Sequence, residues 1–170
     1  SEAALGYAYD LQKKIVLEED GFSVNYQLHN VGQKEIVTEE YVHNFLAINQ
    51  TPLGVDYALQ FPFQIRPEAF GETVNPEAKA LVGRHDIRFS GTPTEPFFFS
   101  NLSGGETVAT AWELRQEQER VGIRERVDFP CSKANLWGCG HVISPELFCP
   151  LQVHPGEMAI WSRRYQVFRF

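Results

Sequence analysis

Residues Phe22-Ser23-Val24-Asn25-Tyr26-Gln27-Leu28-His29 alternate apolar and polar side chains without a break. A period of two fits a strand with one buried and one wet face, and it does not fit a helix, whose period is 3.6. The same pattern recurs along the chain. Leu11 to Leu17 is the expected partner strand, joined to the first by the turn Glu19-Asp20-Gly21. Asn30-Val31-Gly32 supplies the turn that ends it. Ile36 to Asn49 is a long aromatic-rich segment. Tyr57, Leu59, Phe61 and Phe63 alternate again, and Pro62, which has no N–H, limits that strand's ladder. Pro67, Gly71, Pro76, Gly83, Gly91, Pro93 and Pro96 break residues 66–105 into loops around short strands at His85–Phe89 and Phe97–Ser100. Thr107–Leu114 reads as a strand, and charged Gln116–Arg120 as a solvated turn or strand end. Ile123, Glu125, Val127 and Phe129 alternate with Arg124, Arg126 and Asp128, and the last strand, Met158 to Phe170, follows the turn Pro155-Gly156. No helix longer than two turns is predicted.

Short strands separated by frequent turn signals predict an all-β fold, an antiparallel β-sandwich occupying residues 1–170 as one domain. Thirteen Phe, six Tyr and three Trp agree with it, since aromatic rings suit a pleated, half-buried surface. A net charge of −7 argues against nucleic acid as a partner, because a binder needs a basic face to displace counterions. No apolar run is long enough to predict a membrane span. The opening Ser1-Glu2-Ala3-Ala4-Leu5 lacks the basic-then-apolar order of a signal peptide. Three cysteines, at 131, 139 and 149, cannot all pair, so no disulfide framework is expected and the cytoplasm is the expected compartment.

Five histidines are present, at 29, 43, 85, 141 and 154. His43 stands apart in Glu39-Glu40-Tyr41-Val42-His43-Asn44-Phe45, where carboxylates and aromatics can tune an imidazole; the alternative is a structural histidine donating to a backbone carbonyl. Glu146 lies in the otherwise apolar stretch Ile143-Ser144-Pro145-Glu146-Leu147-Phe148. Apolar surroundings raise a carboxyl pKa and suit it to proton transfer, although an outward-facing Glu on a half-exposed strand would look the same. Seven residues separate Cys131 from Cys139, more than a zinc knuckle uses, so no metal site is expected. There is no Gly-x-Ser-x-Gly elbow, and Ser103-Gly104-Gly105 lacks the Lys and helix of a phosphate loop.

Four segments, taken in order, resemble the aldose 1-epimerase (galactose mutarotase-like) superfamily. Tyr26-Gln27-Leu28-His29-Asn30-Val31-Gly32 is similar to a strand ending in an Asn-x-Gly turn, and Tyr41-Val42-His43-Asn44-Phe45 to the segment carrying the catalytic His. Ser144-Pro145-Glu146-Leu147-Phe148 resembles the later strand with the catalytic Glu. Pro155-Gly156-Glu157, followed by Trp161-Ser162-Arg163-Arg164-Tyr165, resembles the closing turn and strand. These pieces begin near the start of the chain. The resemblance therefore covers roughly the C-terminal two thirds of such a protein, and sheet edges and an apolar face are expected to be left for another copy or another chain to cover.

The resemblance implies interconversion of the α and β anomers of a hexose. The base Glu146 takes the anomeric hydroxyl proton, and the acid His43 protonates the ring oxygen. Each such transfer is worth ~10²–10⁴ in rate. Glu39 or Glu40 would help to keep His43 charged. Trp137 would stack on a sugar face, and Lys133 and Asn44 would bond hydroxyls. No metal or organic cofactor is implied, and Arg66, Arg84 and Arg88 are candidates for a basic rim. Two other readings stay open: a non-catalytic carbohydrate-binding module on the same fold, and an interaction domain with no sugar site.

Overall fold

The computed structural model describes residues 4–170; Ser1 to Ala3, the start of the stretch read for signal-peptide character, lie outside the described residues. In chain order the strands are β1 (Tyr9–Glu18), β2 (Gly21–Asn30), β3 (Ile36–Glu40), β4 (Tyr57–Gln60), β5 (Thr73–Val74), β6 (Ala80–Val82) and β7 (Asp86–Phe89). Then come β8 (Phe97–Phe99), β9 (Val108–Gln116), β10 (Val121–Cys131), β11 (Lys133–Cys139), β12 (Val142–Val153) and β13 (Met158–Arg169). Pro67–Ala69 forms a single turn of 3₁₀ helix. Among the described residues, no helix is long and apolar enough to cross a membrane.

Eight strands build the larger sheet in the order β1-β2-β13-β10-β9-β4-β7-β6, and five build the smaller in the order β3-β12-β11-β8-β5. Neighbouring strands run antiparallel throughout. The two sheets bury one apolar layer between them. Leu59, Trp112 and Leu114 of the larger sheet and Leu136, Ile143 and Leu147 of the smaller belong to this core, all nearly sealed from solvent. Removing each aliphatic side chain from water contributes roughly 1.5–3 kcal/mol.

The alternation in β2 does what its period demands: Val24, Tyr26 and Leu28 are buried, while Ser23, Asn25 and Gln27 face the other way. β4 ends at Gln60, two residues before the proline that would interrupt its ladder. Asn30 is fully buried and holds the turn after β2, accepting the Gly32 N–H at 3.0 Å and donating to the Lys34 and Val153 carbonyls at 2.8 Å. β1 is an edge strand, and its Leu11, Ile15 and Leu17, on the face shared with the core side of β2, are 49%, 61% and 84% exposed.

Gly21 closes the β1–β2 turn where β13 passes closest. A Cβ there would stand 1.9 Å from the Tyr165 carbonyl oxygen, a backbone atom that cannot rotate away. Gly21→Ala is therefore expected to cost about 1–3 kcal/mol, the usual price of overpacking, and to lower the urea midpoint with an unchanged slope. An unchanged midpoint would mean that β13 does not lie against the turn.

Candidate functional site

The site is built on β11, β12 and the segment that follows β3. On β11 and β12 the side chains of Ala134, Leu136, Ile143 and Leu147 point into the sandwich core, so Lys133, Asn135, Trp137, Ser144, Glu146 and Phe148 share the opposite face. After Glu40 the chain leaves the ladder but keeps its register. Glu40 pairs with Cys149, and six residues later Leu46 pairs with Ile143, which lies six residues before Cys149. Residue 43 therefore falls opposite residue 146. Tyr41, His43 and Phe45 lie along the outer face of β12, where Tyr41 stacks on Phe148 at 4.5 Å.

The His43 Nε2 atom stands 3.4 Å from Glu146 Oε1. The imidazole stacks on Phe45 at 4.2 Å and meets Trp137 edge-on at 5.2 Å. Glu146 lies under these rings with 6% of its side chain exposed, against 33% for His43. Burial pushes the Glu146 carboxyl above the usual carboxylate range, while a hydrogen bond from Asn135 and the charge of Lys133 pull it back. Asn135 is oriented for this: its Oδ1 accepts the Asn101 N–H at 3.0 Å, which leaves the amide nitrogen for Glu146. The result is a carboxylate of raised basicity touching an imidazole, under an aromatic surface in which Phe45 is 57% exposed.

The structure thus brings His43, Glu146 and Trp137 together. Lys133 lies further along the same face, 4.0 Å from the Phe148 ring centroid and 3.0 Å from Glu39. Asn44 points the other way, into the space between the sheets: its Nδ2 donates to the Pro145 carbonyl at 2.7 Å and its Oδ1 accepts from the Tyr165 hydroxyl at 3.0 Å. The two carboxylates expected to assist His43 are engaged elsewhere. Ser132 and Lys133 bind Glu39 and hold its carboxyl below the usual range, and Glu40 takes bonds from Arg163 at 2.6 Å and Trp161 at 3.0 Å. The carboxylate beside His43 is Glu146 itself. In the expected basic rim, Arg66 is paired with Glu106 and Arg88 with Asp86 and Glu117. Cys131 and Cys149 are buried core thiols, and burial pushes Cys149 up to about 12.

Behind the site lies a charged cluster that the sequence analysis did not single out. Arg163, fully buried, reaches Glu125 at 2.9 Å, Glu40 at 2.6 Å and the Leu147 carbonyl at 2.9 Å. Glu125, also fully buried, takes a further bond from Trp112 at 2.5 Å, and its Oε1 shares with Asn44 Oδ1 the single O–H of Tyr165, whose oxygen stands 3.0 Å from each. Burial works against the charge on Arg163, but Glu125 and Glu40 outweigh it and hold the guanidinium firmly protonated. A cavity of about 330 Å³ opens near these residues on the inner side of the His43 segment, walled by Ile15, Phe22, Val24, Tyr26, Leu46 and Tyr165. Its lining includes His43 but neither Glu146 nor Trp137, so it is distinct from the aromatic outer face.

No family model and no curated protein sequence matches the chain. Solved structures do match, and they share its fold: the architecture is that of the galactose mutarotase-like proteins. A protein of Escherichia coli K12 provisionally named an aldose 1-epimerase superimposes with a TM-score of 0.69 at 14% identity, over 96% of this chain and 62% of its own. The Slr1438 protein of Synechocystis gives 0.66 at 12% identity, over 96% of this chain and 56% of its own. A galactose mutarotase-like protein of Lactobacillus casei gives 0.61 at 14% identity, over 99% of this chain and 72% of its own. The chain thus spans less than two thirds of the length of the first two. At these identities the likeness establishes the fold.

Proposed function

We propose that this chain carries the acid–base pair of an aldose 1-epimerase-type isomerase, acting on a hexose without a cofactor. The observation that supports the reading best is the 3.4 Å approach of His43 Nε2 to Glu146 Oε1 beneath exposed aromatic rings. Mutarotation moves two protons, one off the anomeric hydroxyl and one onto the ring oxygen. Both oxygens are bonded to the same carbon, so an acid and a base standing side by side can serve them. The pyranose would rest on Trp137 and Phe45. Its anomeric hydroxyl would take the place of the imidazole at Glu146, and the displaced imidazole would meet the ring oxygen. Ring opening then transfers one proton to Glu146 and one from His43, and reclosure on the other face returns both. The raised basicity of Glu146 favours its role as base.

The test is polarimetry of freshly dissolved α-glucose and α-galactose, in which the rotation should relax faster in proportion to the protein added. Because Glu146 must be ionised to act, and burial raises its pKa, activity should fall on acidification already above pH 4.5, the ordinary value for its carboxyl. A profile of kcat/KM against pH checks this, and an acid limb at or below 4.5 would contradict it. Sugar binding without proton transfer is a second reading, favoured by the 6% exposure of Glu146. Chemical-shift changes at Trp137 on adding hexose, with no faster relaxation of the rotation, would support that reading instead.

A further inference from the structure

Residues 41–45 border β12 with no named strand of their own, and Pro145, which falls opposite Asn44 in the register, has no N–H for a ladder. Side chains replace the missing backbone bonds. The Asn44 N–H donates to Ser144 Oγ at 2.9 Å, and Asn44 Nδ2 donates to the Pro145 carbonyl at 2.7 Å. The neighbour of His43 is thereby tied to the two residues that precede Glu146. The third tie comes from the larger sheet. Tyr165 Oη lies 3.0 Å from Asn44 Oδ1 and 3.0 Å from Glu125 Oε1, and Glu125 is itself held by Arg163 and Trp112. The Tyr165 ring is fixed as well, stacked on Phe22 at 5.0 Å.

We propose that Asn44 and Tyr165 are positioning residues, a clamp running from buried Glu125 through Tyr165 to Asn44 that sets His43 against Glu146; this deepens the reading of that pair as the proton-transfer site. Asn44 acts from the inner side of the strand and Glu146 lies on the outer, so Asn44 works through the backbone and does not touch sugar.

The clamp is tested on the full chain with Asn44→Ala and with the milder Tyr165→Phe, which keeps the ring and removes only the hydroxyl. The direct readout is the NMR signature of His43, whose ring protons are shifted by the ring currents of Phe45 and Trp137; the Trp112 indole N–H, bonded to Glu125, reports whether the core survives. Both variants should move the His43 ring protons toward solvent values while the Trp112 signal persists. In polarimetry kcat should fall about 10–100-fold, the scale expected when a catalytic group is misplaced by about an ångström, with KM within a factor of about three. Unmoved His43 signals in both variants would overturn the clamp. If His43 moves in the variants but the parent chain does not speed mutarotation, the clamp stands and the assignment of the pair to sugar isomerisation fails.

Discussion

Glu146→Gln is expected to slow anomer exchange by ~10²–10⁴-fold, the usual worth of one positioned general base. The substitution keeps the shape of the side chain and an oxygen to accept from Asn135, and removes the negative charge and with it the capacity to accept a proton. His43→Ala should cost a similar factor by removing the acid. The two losses should not add, because both protons move in one arrangement; the double variant should be little worse than either single one. Hexose binding, followed by the Trp137 indole signal, should survive in Glu146→Gln. If Glu146→Gln relaxes α-galactose as fast as the parent chain, Glu146 is a structural carboxylate and the base lies elsewhere.

The second large effect is on stability. Arg163→Met should destabilise the fold by about 3–5 kcal/mol, the usual result when one partner of a buried ion pair is removed. At this chain length that is a fall of roughly 10 °C in Tm. The variant strips Glu125, at 0% exposure, of the cation that stands 2.9 Å away and leaves Glu40 without its 2.6 Å partner. Burial already raises the Glu125 carboxyl, with Arg163 opposing that rise, so the substitution should raise it further. The sign follows from linkage. A carboxyl whose pKa is higher folded than unfolded stabilises the fold below its unfolded value and loses that contribution as pH rises through the folded one. The deficit of Arg163→Met should therefore be smaller near pH 4 than near pH 8, measured by urea unfolding at both. Glu125→Gln combined with Arg163→Met should cost less than the sum of the singles, because no buried charge is stranded. A pH-independent deficit would mean that Glu125 is not the group stranded.

Much of the fold was open to inspection in the chain itself. β2 and β10 were legible because each buries one face and wets the other, so burial prints a period of two on the residues; β1, exposed along both faces, was marked by the turn that joins it to β2. β12 buries both faces from Ile143 to Cys149 and so carries no such print. It read as an apolar stretch with a misplaced Glu. β11 does alternate, Lys133 and Asn135 against Ala134 and Leu136, but it follows β10 after a single residue, so no turn cluster announces it. His43 and Glu146 were reached by resemblance to a family; nothing local in either segment says that they touch. Their contact is set by the register between the His43 segment and β12, a long-range property. Glu125 was visible on the apolar side of its strand, a warning of a buried charge, but its partner Arg163 appears only once β10 is paired with β13. Asn135 and Tyr165 left no local signal, since an asparagine that aims a carboxylate and a tyrosine that clamps a strand look like any others until the sheets are assembled. Asn44 was read as a contact to sugar hydroxyls, but the side it faces is decided by the parity of the register, which turns it toward Tyr165.

Whether His43 and Glu146 exchange protons with a hexose can be read from saturation transfer between the anomeric protons of α- and β-glucose. Irradiating the α proton should drain the β signal in the presence of the chain, in proportion to its concentration, and should not do so with Glu146→Gln. Unaltered β intensity at a protein concentration that visibly shifts the Trp137 indole signal would contradict that exchange, and would leave a protein that holds sugar without turning it over.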